Sequence, residues 1–167
     1  MSPRRPDAVK AAFSLVPDYL RTPEETLAPN LMDYGVSLGR RFRALKLWMV
    51  LRAFGREGVS ARIREHVRLA ALFRSWVETD PTFELAAPAP LSVVCFRARF
   101  EGRDEDTVDR LNEAMMEQVN ASGEAYLSHT RLGGRFVVRL AIGNIRTEER
   151  HVRRAWELLK NAAAGVA

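Results

Sequence analysis

The apolar residues of this chain recur at helical spacing, then at strand spacing, and then at helical spacing again. Residues 40–54 contain helix-forming residues without a breaker, and their apolar side chains surround much of the predicted helix. Such a helix is expected to be buried on most sides. Gly55 follows as a C-terminal cap, and a second helix is predicted from about residue 59 or 60 to Val77. This second helix is expected to bury a stripe of Val59, Ile63, Val67, Ala70 or Ala71, and Val77.

The segment before these helices has no period of its own. Residues 1–35 are interrupted by five prolines, which no long helix can cross: Pro3, Pro6, Pro17, Pro23 and Pro29. A compact domain seldom opens with so long an irregular stretch. We therefore expect an upstream part of a larger molecule to belong with this chain.

Beyond Pro81 the apolar spacing shortens to two residues, which is typical of strands. Phe83–Ala87 is a short strand candidate. Leu91–Phe100 is a stronger one, and its apolar residues alternate with Arg97 and Arg99. This part of the chain is therefore expected to form strands.

The second half of the chain repeats this change of period. A helix is predicted from Asp104 to about Ala121, and 124–130 and 135–142 are predicted to pair as a hairpin about Gly133-Gly134. Thr147 is predicted to cap a last helix, whose buried stripe is Val152, Ala155, Trp156, Leu159 and Ala163. The order of elements predicts an α+β fold in which helices pack on an antiparallel sheet of about four strands.

Composition is typical of a globular protein. The 167 residues are 47% hydrophobic and 28% charged, and no apolar run is long enough to cross a bilayer. No secretory signal is evident, so a soluble, cytoplasmic protein is expected. The single cysteine, Cys95, excludes an internal disulfide framework and is expected to be a small buried hydrophobe.

The charge balance admits a nucleic-acid partner but does not favour one. There are 26 Lys and Arg against 21 Asp and Glu, for a net charge of +5, but the arginines are spread among acidic residues. A solvated arginine-rich surface is the simpler interpretation. Arg40, Arg41 and Arg43 fall in the first turn of a helix, where cations are unfavourable. They are expected to meet either a bound anion or, as arginine forks more commonly do, carboxylates of a neighbouring domain.

Candidate chemistry is sparse. The three histidines lie in separate elements without metal-ligand spacing, so no metal site is expected, and only His129, near the Gly133-Gly134 turn, is kept as a site candidate. Gly39, before the first helix, serves either as an N-cap or as a position that leaves room for a ligand. The residues alone predict a soluble α+β domain, without a function.

Three stretches, however, resemble the C-terminal part of the group II pyridoxal-dependent decarboxylases, which include aromatic-L-amino-acid decarboxylase and histidine decarboxylase. They are LGRRFRALKLWMVLRAFGREGVSARIREHVRLA, LSVVCFRARF and GGRFVVRLAIGNIRTEERHVRRAWELL. With FSLVPDYLR near the start, the resemblance extends from about Pro6 over nearly the whole chain.

The resemblance implies a type I fold for enzymes that use pyridoxal phosphate (PLP). In that fold a large cofactor-binding domain precedes a small C-terminal α+β domain, and a homodimer has its active sites at the subunit interface. Residues 1–37 would then be a remnant of the large domain with the catalytic loop, 38–80 connecting helices, and 81–167 the small domain.

The resemblance also implies roles for two residues. Tyr19 matches the tyrosine of the mobile catalytic loop, whose implied role is to protonate the substrate Cα after carbon dioxide leaves. Gly39 matches a substrate-pocket position at which glycine accompanies aromatic substrates. The lysine that binds PLP as a Schiff base has no counterpart, because Lys10, Lys46 and Lys160 do not match its motif.

The expected function is therefore decarboxylation of aromatic L-amino acids to amines by a longer, PLP-dependent enzyme, of which this chain alone would be inactive. No membrane or nucleic-acid partner is expected. The alternative is a non-catalytic α+β interaction or regulatory module that binds an acidic partner through its arginine-rich face.

Overall fold

A computed structural model describes residues 8, 11–12 and 43–166 of the chain. Residues 43–166 form three helices and four strands. In chain order they are α1 (Arg43–Thr79), β1 (Phe83–Leu85), β2 (Val93–Ala98), α2 (Glu105–Ala121), β3 (Ser128–Leu132), β4 (Arg135–Ala141) and α3 (Glu149–Val166). None of the described helices is both long and apolar enough to cross a membrane.

The chain divides into two compact units, residues 1–56 and residues 57–167. The helix α1 contains one residue with non-helical backbone angles, Gly55, at φ 64° and ψ 178°. This region of backbone space is almost restricted to glycine, because a Cβ atom would clash there. The predicted break between two helices at Gly55 is thus confirmed.

The four strands form one antiparallel sheet in the order β1-β2-β4-β3. The strands β3 and β4 form a hairpin, with Leu132 opposite Arg135 and with Gly133 and Gly134 at φ 58° and 85°. These positive angles are what the glycine pair predicted. The α+β prediction, with about four antiparallel strands, is confirmed.

The core of the second unit lies between the sheet and the helices. An aromatic cluster occupies its centre, where the ring of Trp156 lies 5.6 Å from that of Phe73 and 4.8 Å from that of Phe83, measured between ring centroids. Phe73 also makes an edge contact with Phe96 of β2, at 5.2 Å. The stripe predicted for the last helix is buried throughout: Val152, Ala155, Trp156, Leu159 and Ala163. The spacing of the apolar residues alone therefore identified the buried face of α3.

The stripe predicted for residues 59–77 is only partly correct. Val77 is buried, and so is Ala70, but Ile63 is 56% exposed. Around Ile63 the helix makes polar contacts instead: Arg62 Nη1 donates to the carbonyl of Ile145 at 2.9 Å, and the His66 ring lies 3.2 Å from the carbonyl of Asn144. Apolar burial begins only further along the helix, at Leu69, Ala70, Phe73 and Val77.

Three smaller predictions also need correction. The last helix is capped at Glu148 rather than Thr147, because His151 Nδ1 accepts a hydrogen bond from the Glu148 N–H at 3.0 Å, as the third residue does in a capping box. Cys95 is half-buried rather than buried. The strand β3 begins at Ser128, several residues later than predicted, because the backbone of Leu127 bonds instead to the side chain of Asn120.

Candidate functional site

The two residues to which the resemblance assigns roles, Tyr19 and Gly39, lie outside the described residues. So do Arg40 and Arg41 of the predicted basic first turn, and α1 is described only from Arg43 onwards. The roles of these residues stay predictions. What the structure does describe is the helix that follows them and the small α+β unit beyond it.

The beginning of α1 carries an exposed apolar surface. Six of its side chains are between 40% and 61% exposed: Leu45, Leu47, Trp48, Met49, Val50 and Leu51. The expectation that this helix is buried on most sides is therefore not met by the described residues. Large exposed apolar surfaces are rare in self-sufficient soluble proteins and mark sites of contact with another surface. We call these six residues the apolar helix surface.

Sequence reasoning missed a charge cluster beside the sheet, centred on a buried arginine. Arg97 of β2, which alternates with apolar residues in the sequence, is only 2% exposed. Its guanidinium donates to Glu105 and, at 2.9 Å, to Asp109, both on α2. A buried charge is tolerated only where opposite charges and hydrogen bonds compensate for lost hydration.

Asp109 is the centre of this cluster. Its Oδ1 accepts from both Arg97 and, at 2.8 Å, the backbone N–H of Phe136 in β4. Its Oδ2 accepts from Arg131 of β3 at 3.0 Å. One carboxylate thus ties α2 to three strands of the sheet. The sequence contains only an indirect signal for this role. Asp109 is an acidic residue one turn after the start of α2, and it does not belong to the apolar stripe of that helix.

Two asparagines of α2 each bind the backbone of a residue outside the helix. The Asn112 side chain accepts from the N–H of Ala98 at 2.7 Å and donates to its carbonyl at 3.0 Å. The Asn120 side chain does the same for Leu127, at 2.7 and 3.0 Å. Each amide supplies the donor and acceptor that a neighbouring strand would otherwise supply. The pairing of β2 with β4 ends at Phe96, before Ala98 is reached.

Replacing Asn112 with leucine is expected to destabilise the protein by about 2–4 kcal/mol. Asn112 is fully buried, so leucine of similar size leaves the N–H and carbonyl of Ala98 buried and unpaired. Urea unfolding, followed by circular dichroism, measures the loss. The exposed neighbour Glu113, replaced by glutamine, is the control and should change stability by less than about 0.5 kcal/mol. An equal effect of both substitutions would contradict this account.

The histidines take part in local contacts. His129 stacks on Phe136, with 4.9 Å between the ring centroids and 12° between the planes, so its ring packs on the sheet. Within residues 43–166, no group of three or more His, Cys, Asp or Glu side chains could hold a metal ion. Whether His129 has a functional role remains a prediction.

Surface ion pairs link α3 to α1 and to the loop after α2. Hydrogen bonds from Arg153 and Arg68 hold the pKa of Glu149 below its ordinary value, and one from Arg154 does the same for Glu124. A carboxylate whose pKa is lowered in the folded state contributes stability above its unfolded pKa. That contribution is lost as the pH falls through the folded pKa. All these groups are exposed, so each pair contributes little.

The comparisons with known proteins identify the family. Residues 1–99, more than half of the chain, match the pyridoxal-dependent decarboxylase conserved domain. The chain belongs to the pyridoxal-dependent decarboxylase family. This confirms the resemblance, and PLP is the cofactor of the family.

Two plant proteins show how far the similarity to the family extends. The chain is 41% identical over 164 residues to tyrosine decarboxylase 2 of Arabidopsis thaliana, covering 93% of this chain and 30% of that protein. It is 39% identical over 160 residues to phenylacetaldehyde synthase of Arabidopsis thaliana, covering 95% and 33%. The chain thus spans about a third of the length of the curated relatives that it matches.

A solved member of the family has the same fold. The structure of Oryza sativa TDC with PLP and tryptamine superposes with a TM-score of 0.69 at 43% identity, covering 81% of this chain and 29% of that one. This likeness agrees with the α+β architecture described above.

The described residues do not fit PLP on their own. A PLP enzyme holds its cofactor through a lysine Schiff base. Two lysines lie in the described part of the chain, Lys46 and Lys160, and both are exposed. The ammonium of Lys160 lies 5.9 Å from the centroid of the Trp156 ring, against the outside of α3. Lys160 borders an open cavity of about 200 Å³, and neither lysine is buried as a Schiff-base lysine enclosed with its cofactor would be.

Proposed function

We propose that this chain is the C-terminal third of a PLP-dependent enzyme that decarboxylates aromatic L-amino acids to amines and carbon dioxide. The observation that carries the proposal is the family match over residues 1–99, together with 41% identity to a tyrosine decarboxylase. The tryptamine bound by Oryza sativa TDC, a homologue of 43% identity, supports the aromatic substrate class.

In this proposal, an upstream part of the longer protein and this chain have different roles. The upstream part would supply the PLP site with its Schiff-base lysine, which is why the chain alone is proposed to be inactive. Within the chain, residues 1–37 would carry the catalytic loop, residues 38–80 would form the connecting helices, and residues 81–167 would form the small domain. The compact sheet and helices beyond residue 80 suit the last of these roles.

Tyr19 is proposed as the acid that completes amine formation. Loss of carbon dioxide leaves an electron pair on the substrate Cα, and the amine forms only when that atom receives a proton. A phenol on a loop that closes over the site can deliver the proton while water is kept out. Gly39 is proposed to form part of the substrate pocket, where the absence of a side chain leaves space for an aromatic ring.

A homodimer in the cytoplasm is part of the proposal, with active sites formed where the two subunits meet. The arginines at positions 40, 41 and 43 are proposed to pair with carboxylates of a neighbouring domain, which would relieve their repulsion by the helix N-terminus.

The alternative of an arginine-rich interaction module receives less support. Nine of the described arginines form ion pairs with carboxylates of their own fold. They include Arg68 and Arg153 with Glu149, Arg99 with Glu84, and Arg154 with Glu124, at distances of 2.7 to 3.3 Å. A surface whose cations are already paired attracts an acidic partner less strongly.

A chimera tests the proposed function. Residues 1–167 replace the matching third of Oryza sativa TDC, and the purified protein is supplied with PLP. We expect carbon dioxide and the corresponding amine from L-tyrosine or L-tryptophan, little from L-histidine or L-glutamate, and no product from the 167-residue chain alone. Aldehyde is assayed as well, because one relative is a phenylacetaldehyde synthase. A chimera that folds and binds PLP but releases no carbon dioxide from aromatic amino acids would refute the proposal.

A further inference from the structure

The apolar helix surface is a candidate contact between this chain and the upstream part of the longer polypeptide. Successive residues of an α-helix point about 100° apart, so five consecutive residues cover the whole circumference. Residues 47–51 are all apolar, and each is at least 44% exposed. Leu45 and Met49 share one side of the helix, whereas Leu47 and Leu51 share a side roughly opposite.

We propose that residues 43–54 form an interior helix, enclosed on all sides by the upstream part of the longer polypeptide. This inference rests on the proposed function, which supplies the missing partner. The relatives are about three times as long as the matched region, so enough chain exists to surround a helix. The family match also runs through residues 43–54 and on to residue 99, so the helix lies within the conserved domain rather than at its edge.

A second copy of this chain fits the surface less well. Two helices that pack side by side bury one stripe each, about 100° wide. Such a dimer would cover Leu47 and Leu51 but leave Leu45 and Met49 in water, or the reverse. Only a partner with walls on opposite sides of the helix removes both pairs from solvent.

The charges of the helix add a condition on the partner. Residues 43–54 contain three basic residues and no acidic one: Arg43, Lys46 and Arg52. Arg52 lies over the Trp48 ring, with its guanidinium 5.9 Å from the ring centroid. The enclosing chain is therefore expected to place carboxylates near the ends of these side chains, since unpaired charges are costly once water is excluded.

The test uses two matched double variants of the 167-residue chain. One carries Leu45→Gln and Met49→Gln, and the other carries Leu47→Gln and Leu51→Gln. Each chain is co-expressed with a tagged Oryza sativa TDC that lacks its matching third. The unaltered chain is expected to co-purify at a 1:1 ratio, and each variant is expected to reduce its yield at least about tenfold.

The control is a double variant at two exposed isoleucines outside the apolar helix surface, Ile63→Gln with Ile145→Gln, which should leave the yield unchanged. Urea unfolding of all variants checks that residues 57–167 remain folded. The proposal is overturned if the unaltered chain does not co-purify. It is also overturned if only one of the two helix variants loses binding, or if the chain alone forms a discrete dimer in light scattering that one helix variant dissociates. A 1:1 complex that makes no amine would refute the proposed function and leave the enclosure intact.

Discussion

Replacing Tyr19 with phenylalanine in the active chimera is expected to reduce amine formation about 10²- to 10⁴-fold, the usual range for loss of a positioned proton donor. The substitution keeps the aromatic ring and removes only the hydroxyl group. Loop closure and substrate binding should therefore change little, and the loss should appear in kcat rather than in KM. Steady-state assays of amine and carbon dioxide from L-tyrosine and L-tryptophan measure both quantities.

The control for Tyr19 is Tyr126, which lies in the described part of the chain and is 77% exposed. Its replacement by phenylalanine should leave kcat within about twofold, because an exposed hydroxyl is worth little. Carbon dioxide and amine are measured separately, because they test different steps. If Tyr19→Phe forms amine at the parent rate, the proposed role of Tyr19 as the acid is wrong, although the family assignment would be unaffected.

Replacing Asp109 with alanine is expected to destabilise the small α+β unit by about 3–5 kcal/mol, because it leaves the buried Arg97 with one fewer counter-ion. The same change removes the acceptor for the N–H of Phe136 and for Arg131. Arg97 keeps its contact with Glu105, which places the loss nearer the lower end of the range. Urea unfolding of the 167-residue chain, followed by the fluorescence of its tryptophans, measures the free energy of unfolding.

Asp106 is the matched control for Asp109. It is an exposed acidic residue in the first turn of the same helix, so its replacement by alanine removes a similar favourable interaction with the helix dipole, worth about 0.3–1 kcal/mol. Adding Arg97→Met to the Asp109 variant should restore part of the stability, because the unpaired buried charge is then gone. Equal losses at positions 106 and 109, or no recovery with methionine, would show that the cluster contributes no more than surface charges do.

Much of the fold could be predicted because it depends on local chemistry. The glycine pair at 133–134 requires positive φ angles, and Gly55 breaks the helical geometry for the same steric reason. The apolar period of the last helix identified its buried face because that helix packs along one stripe, against α2 and the aromatic cluster around Trp156. Where one element faces one surface, period alone identifies the contact.

The failures occurred where a residue's partner is distant in sequence. Arg97 alternates with apolar residues as a solvated side chain would, but Asp109 and Glu105 of another element make its burial possible. Asn112 has no apolar character, yet it is fully buried because β4 no longer pairs with β2 at Ala98, where the Asn112 amide bonds to the backbone instead. No pattern within a window of the sequence carries this information.

The same contrast between local sequence patterns and distant contacts applies to the candidate site. The sequence motifs around Tyr19 and Gly39 indicated the family and the proposed roles. The match over residues 1–99 confirms the family, and the roles stay predictions. For the helix of residues 43–54, the sequence alone indicated that it is apolar on most sides. Only the tertiary structure decided that the described part of the chain leaves this surface exposed. The reason is that apolar spacing records how much surface must leave water, whereas the identity of the covering surface depends on contacts between distant parts of the polypeptide.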